Sequence, residues 1–367
     1  MNRAQQIKKI TQELVRFKTT HEQQRQFLPC LKIIKKWLEK NNIKAEIGTH
    51  NSFPFLISGP KKTNVLFLGH IDVVPAPAKL FETKTRDGKM FGRGVFDMKG
   101  AIAALLDAYI KLKKENITSV TLAITSDEEI GGYNGTRFLF QTKKIIPNIV
   151  ILPDGGENFN IVISQKGPIN LITTTNGKSC HSALPWLGIN PVNLAAGFIE
   201  EINRKFPNKD SARTTVTATI ASSRDVVSKK IRNQIPSSFE INWNARITSP
   251  DTTQKIVATF NKIGSRYNTK VAKTIGDGLS FHINKANKKV ILWKKIVESQ
   301  IKKQVDFASS STASDARWIS QKGIPCIITH ADGGCPHEDG EWVDLESLTI
   351  LSECVQEFTL AIINRKI

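Results

Sequence analysis

The sequence predicts an α/β fold with a mostly parallel central sheet, interrupted by an inserted α+β domain. Three observations predict it. Residues 1–165 alternate helical and strand-like patterns, the order of elements that builds parallel sheets. The runs "VLFL", "VTLAI" and "IVIL" are continuously apolar, as expected of strands covered by helices on both faces. From Gly167 the texture becomes Thr-rich and alternating, and near Lys288 the first texture returns. The expected division is 1–168 and 285–367 for the two parts of the main domain, with 169–284 inserted.

In chain order, "QQIKKITQELVRF" carries Ile7, Ile10 and Leu14 at helical spacing, and "FLPCLKIIKKWLEKN" is a second amphipathic helix. A strand, "NVLFLGH", ends at His70, and the helix "KGAIAALLDAYIKLKK" follows. Next come the strand "SVTLAIT", a helix through "GTRFLFQ" and the strand "NIVILPD". In the insert, "PINLITTTNGKSC", "ARTTVTATIAS" and "SSFEINWNARI" read as antiparallel strands around the helix "NPVNLAAGFIEEINRKF". The helix "ILWKKIVESQIKKQ", the strand "PCIIT" and the helix "LESLTILSECVQEFTLAIINRK" complete the main domain.

Composition narrows the function. The 367 residues are 40% apolar and 23% charged, ordinary for a globular protein, and exceed what one simple core accommodates. No apolar run reaches the ~18 residues of a membrane span, and the N-terminus lacks the apolar centre of a secretion signal, so a cytoplasmic protein without a membrane partner is expected. Five scattered cysteines fit a reducing compartment. The net charge of +19 is spread over helix faces, and no nucleic-acid motif accompanies it.

The stretch "LAITSDEEIGG" poses the chemical question. Asp127, Glu128 and Glu129 stand together at a strand end with no cation in the stretch to neutralise them. In open α/β sheets, ligands bind beyond the carboxyl ends of strands. Two other strands end in ligand-type residues: "VLFLGHIDVVP" in His70, with Asp72 just beyond, and "VILPDGG" in Asp154. "GRGVFDMKG" places Asp97 before a helix, where its bland role is a cap. The glycines there imitate a dinucleotide fingerprint, but the third is missing and no strand precedes them. "CPHEDGEWV" adds His337. A structural zinc site of Cys326, His330, Cys335 and His337 is disfavoured because Cys326 lies inside an apolar strand pattern. His70, Asp97, Glu129, Asp154 and His337 make five imidazole and carboxylate ligands, suited to two metals sharing one carboxylate. One acid of the "DEE" run then binds a cation while its neighbour works beside it.

Together these segments resemble the dinuclear zinc peptidase and deacylase family, of the succinyl-diaminopimelate desuccinylase, acetylornithine deacetylase, aminoacylase and glutamate carboxypeptidase type. "GHIDVVP", "GRGVFDMKG", "TSDEEIGG" and "HEDGEWV" look like its signatures and occur in its order. The resemblance implies two Zn²⁺ ions, with Co²⁺ or Mn²⁺ as substitutes. His70 and Asp154 would hold one ion, Glu129 and His337 the other, and Asp97 would bridge them. Asp72 would orient His70, and Glu128 would be the general base for a metal-bound hydroxide. A cis peptide at Asp97–Met98 is implied as well.

The insert resembles the family's lid and dimerisation domain, which implies a homodimer. "GKSCHSALPWLGINP" would supply His181 to stabilise the oxyanion. Asn233 and Arg246, with Thr312 and Ser314 in "SSSTASDARW", would contact the substrate. Departures exist. The family often has glutamate in a "GEP" context where this chain has Asp154, and Glu157 is an alternative ligand. The arginine of the desuccinylases' "NGRRGS" is absent from "SQKGPIN", so succinyl recognition is not carried over. The expected activity is amide hydrolysis of an N-acyl amino acid. The alternatives are a dipeptidase, aminopeptidase or carboxypeptidase on short peptides, and a catalytically inactive binding or scaffold protein.

Overall fold

A computed structural model describes residues 1–208, 213–223 and 233–365. Ala212, Ile231, Arg232 and Lys366, at the margins of expected strands and of the last helix, lie outside them. The chain forms two compact units: residues 1–163, 282–308 and 314–367 make the first, and 164–281 with 309–313 the second.

The first unit is built on the apolar strands. Lys62–His70 runs parallel to Val120–Thr125 on one side and to Ile146–Leu152 on the other. Cys326–Ile328 extends the parallel set beyond Ile146–Leu152. Val120–Thr125 is buried at every residue, which explains why its pattern shows no alternation. A hairpin, Glu46–His50 with Phe53–Ser58, adds an antiparallel edge next to Val120–Thr125. It turns through Asn51 and Ser52, both at positive φ.

Helices cover this sheet. Arg3–Val15 starts with a reciprocal cap between Asn2 and Gln5 and buries Ile7, Ile10 and Leu14, the face read from the sequence. Lys99–Lys114 packs against both Arg3–Val15 and Leu345–Arg365. It is buried continuously from Lys99 to Ile110, because its small Ala and Gly residues admit neighbours on all sides. A second small sheet joins Lys84–Arg86, Lys89–Phe91, Trp342–Asp344 and Gly333–Gly334, all antiparallel. It brings the loop before Asp97 and the loop bearing His337 to neighbouring strands.

The second unit is an antiparallel sheet in the order Thr215–Ser222, Ser238–Ile247, Gly167–Asn176, Thr269–Ile275. Alternate residues of Gly167–Asn176 and Ser238–Ile247 are buried, so one face meets a core. The helices Pro191–Lys205 and Thr253–Gly264 supply the other side of that core, with Phe198 and Phe260 edge-on to Trp243. The indole N–H of Trp243 donates to the Thr173 hydroxyl at 2.9 Å, satisfying its one buried polar group.

Candidate metal centre

The carboxyl ends of the three parallel strands converge. Lys62–His70 delivers His70 at its tip, and Asp72 follows. Val120–Thr125 runs through Asp127 into a single 3₁₀ turn, Glu128–Ile130. Gly131 closes that turn, and its carbonyl accepts from the Arg317 guanidinium at 2.6 Å and the Trp318 indole at 3.0 Å. Ile146–Leu152 leads to Asp154. Asp97 and His337 arrive from the loops tied by the small sheet.

Two donor groups result. His70, Asp97 and Asp154 each offer an atom within 4.8 Å of the others, and so do Asp97, Glu129 and His337. Asp97 belongs to both through different oxygens. Its Oδ1 lies 3.3 Å from His70 Nε2, and its Oδ2 lies 3.2 Å from His337 Nε2. His337 Nε2 is also 3.4 Å from Glu129 Oε2. The helix after Asp97 starts at Lys99 with no side-chain cap, so capping is not what Asp97 does here. Its peptide to Met98 is cis.

The fit to cations rests on unpaired atoms. His70 Nε2, Asp97 Oδ1, Glu129 Oε1 and Asp154 Oδ2 are buried and lack a hydrogen-bond partner. Such groups cost ~1–3 kcal/mol each when left bare, and a divalent ion at each donor group would satisfy them. The tautomer agrees. His70 Nδ1 sits 3.1 Å from the Asp72 carbonyl, which can only accept, so Nδ1 carries the proton and Nε2 keeps its lone pair.

Electrostatics report the same crowding of negative charge. Burial, then the charge of Asp97, pushes Asp154 up to about 8. Burial, reinforced by Asp154, holds Glu128 well above the usual carboxylate range, and burial also raises Glu129. Asp97 goes the other way: burial alone would raise it, but the imidazoles of His337 and His70 close to its two oxygens hold it well below. His337 is pushed up to about 10 by its bonds to Asp97 and Glu129.

The acidic run divides three ways. Glu129 joins a donor group, and Glu128 stands outside both, its carboxyl raised by burial and by the charge of Asp154. Asp127 turns inward, buried, and accepts the Asn134 N–H at 2.6 Å. Its near neighbour is Asp315, which accepts the Thr136 hydroxyl at 2.5 Å. Gly132, at φ +64, is what lets the chain pass, since a Cβ there would fall 1.9 Å from Asp315 Oδ1. Burial and Asp315 together raise Asp127 to about 7. Of the three acids, only Glu129 therefore belongs to a donor group.

The remaining sequence candidates lie elsewhere. His181 and Asn233 are exposed in the second unit, His181 on a short strand paired to Gln234–Ile235 and Asn233 just before that strand, with Asn233 Nδ2 3.4 Å from His181 Nε2. Arg246 is half-buried on Ser238–Ile247, its Nε donating to Asn244 at 3.2 Å. Thr312 is exposed and shares a hydrogen bond with Ser310 at 2.7 Å. Ser314 is buried, its hydroxyl accepting the Ala316 N–H at 3.3 Å. Glu157 is exposed and outside both donor groups. Cys326 is buried in its strand, where burial pushes its thiol well above the ordinary range, and it too is outside them.

Two residues escaped the sequence reading. His21 Nε2 lies 3.1 Å from Asp72 Oδ2, the oxygen that also accepts the Glu129 N–H at 2.9 Å. Asp72 thus touches His70, Glu129 and His21 together. "KTTHEQQ" carries no motif that could have flagged this. Glu341, inside the quoted "HEDGEW", is the other; its position four residues past His337 was the available signal.

An α/β unit whose parallel strands present two donor groups sharing one carboxylate defines a hydrolase of the two-metal class. The chain belongs to the peptidase family M20/M25/M40, whose model matches residues 66–361. It is a metal-dependent hydrolase of amide bonds. It is similar to succinyl-diaminopimelate desuccinylase of Rickettsia akari (strain Hartford), 25% identical over 91% of this chain and 94% of that one. The Rickettsia felis enzyme of the same name is 27% identical over 84% of this chain and 86% of its own. Among solved structures, a Staphylococcus aureus tripeptidase superposes with a TM-score of 0.80 at 19% identity, covering 98% of this chain and 99% of that one. A dinuclear metal-binding peptidase of Bacillus subtilis gives 0.71 at 15% identity, over 99% of both. No described helix is long and apolar enough to cross a membrane.

Proposed function

We propose that this chain is a two-zinc amidohydrolase that releases an amino acid from its N-acyl derivative. The observation that carries the reading is the pair of donor groups joined by Asp97, with half-buried Glu128 close enough to Asp154 for its charge to raise the Glu128 carboxyl. His70 and Asp154 would hold one ion, Glu129 and His337 the other, and Asp97 both. Zinc suits the imidazole and carboxylate donors, and cobalt or manganese would substitute. Bound metal would polarise the amide carbonyl and make a water nucleophilic near neutral pH.

The protein's own groups do the rest. Asp72 holds His70 in the tautomer that leaves Nε2 free. Glu128, raised by burial, is matched to taking a proton from the attacking water and returning it to the departing amine. By the family resemblance, His181 would steady the developing oxyanion. Arg246 would grip the substrate carboxylate, with Asn233, Thr312 and Ser314 contributing to substrate contact. The second unit would serve as lid and dimerisation domain. Its exposed Leu184, Trp186, Leu187, Ile189 and Val192 support an apolar contact with a second copy. Five free cysteines support a cytoplasmic location.

A second reading, cleavage of short peptides, is favoured by the missing arginine in "SQKGPIN". Purified protein assayed with added zinc, cobalt or manganese on N-acyl amino acids against di- and tripeptides separates the two. Faster turnover of peptides would replace the first reading with the second. Fewer than two bound metals per chain and no hydrolysis of either class would sink both and favour a binding protein.

A further inference from the structure

Glu341 is fully buried and no step assigned above uses it. Its carboxylate accepts four hydrogen bonds from one loop. Oε2 takes the Arg93 guanidinium at 2.5 Å and the Gly94 N–H at 2.9 Å. Oε1 takes the N–H groups of Phe96 at 2.9 Å and of Asp97 at 3.0 Å. The loop wraps the carboxylate as a nest of backbone amides wraps an anion. Gly94, at φ +84, allows the curl, and its would-be Cβ would meet Val73 at 2.9 Å.

A buried ion pair of this kind is a weak device for stability alone, because desolvation offsets most of its attraction. Its placement indicates another use. One end of the nest is the N–H of Asp97, whose own carboxylate lies between His70 and His337. Glu341 itself follows His337 through two tight turns, Glu338 N–H to Cys335 O at 3.2 Å and Glu341 N–H to Glu338 O at 3.4 Å. A return bond runs from the Gly92 N–H to the Glu341 carbonyl at 3.2 Å. One side chain therefore spans the two loops that bring Asp97 and His337 together.

We infer that Glu341 is a positioning residue for the metal centre: by gathering the Arg93–Asp97 loop it sets the shared carboxylate of Asp97 against His337. The inference rests on the two-metal reading. Because Asp97 serves both donor groups, loosening it weakens both, whereas a defect in His337 alone would weaken one. Glu341→Gln keeps the shape but turns one oxygen into an NH₂ that faces two donors, so two of the four bonds become repulsive.

The test is a competitive titration of metal-free protein with zinc against a chromophoric chelator, which reads stoichiometry and both dissociation constants without any assay of turnover. Thermal unfolding of the same metal-free samples runs alongside. Glu341→Gln is expected to weaken both sites by about 10–100-fold, the usual consequence of losing an outer support of a metal ligand. A lowered unfolding temperature with both dissociation constants at parental values would overturn the role and leave Glu341 a structural ion pair. If Glu341→Gln does not fold, Glu341→Asp decides. It keeps the charge but is too short to reach all four donors; a tenfold or greater loss at both sites supports the role, and parental affinity overturns it. If the parent protein itself binds fewer than two ions, the two-metal reading fails rather than the role of Glu341.

Discussion

Replacing Asp127 by asparagine probes the one fully buried acid of the "DEE" run, which lies outside both donor groups. Asp127 is fully buried beside Asp315, and its carboxyl is pushed up to about 7 from an ordinary 3.8. The folded protein then holds this proton more tightly than the unfolded chain does. Folding stability contributed by the group is intact below the ordinary value and declines as pH climbs toward 7. At ~1.4 kcal/mol per unit, the shift amounts to about 4 kcal/mol against the folded state once the pH is well above 7. Asparagine removes that penalty. Its carbonyl can keep the Asn134 N–H, but its NH₂ takes the place of buried Oδ1, which has no partner, and is left unsatisfied, a loss of about 1 kcal/mol. The variant should therefore gain up to about 3 kcal/mol at pH 8.5 and less than about 1 kcal/mol at pH 5. Urea unfolding of chelator-treated protein at the two pH values measures this. Equal or lower stability of the variant at pH 8.5, or the same gain at pH 5, would refute the raised Asp127 carboxyl.

Other expectations concern the centre itself. Glu128→Ala should retain two zinc ions by elemental analysis while turnover falls about 10²–10⁴-fold, the usual contribution of a general acid–base group; parental turnover would exclude that role. Asp97→Ala should lose metal from both donor groups, and retention of two ions per chain would contradict sharing. His21→Ala should lower stability by about 1 kcal/mol at pH 6 and by less at pH 9. Burial alone would lower the His21 imidazole, but its bond to Asp72 outweighs that and raises it. Its contribution is thus complete below 6.5 and fades as pH rises through the folded-state value. Unfolding free energies of parent and variant at the two pH values decide it.

The residues that converge were legible because strand tips are marked locally: an apolar run stops, and a His or an acid follows. His70, Glu129 and Asp154 each stand at such an end, and Asp97 and His337 lie in short motifs with unusual glycine content. What the sequence concealed was pairing over distance. Arg93 and Glu341 lie 248 positions apart, and nothing in either segment names the other. His21 reaches Asp72 from a segment with no periodic pattern. Asp127 looked equivalent to its two neighbours, and only the tertiary fold turns it toward Asp315. The edge hairpin Glu46–Ser58 also went unread. Its turn is Asn51–Ser52 rather than Asn–Gly, and Pro54 inside the second strand argues against a strand, a penalty relieved because pairing to Val120–Thr125 begins only at Leu56, beyond the proline. The helix Thr253–Gly264, capped by Thr252, was overlooked between more conspicuous strands.

The order of the donors along the chain has a consequence for how the protein is made. The first group is complete once residue 154 has been synthesised, but the second waits for His337, and the strand Cys326–Ile328 beside Ile146–Leu152 is late too. A chain emerging from the ribosome thus carries its crowded carboxylates long before the second imidazole exists. Mature loading belongs to the final stage of translation or after it, and any product truncated ahead of residue 337 is left with a single three-donor seat.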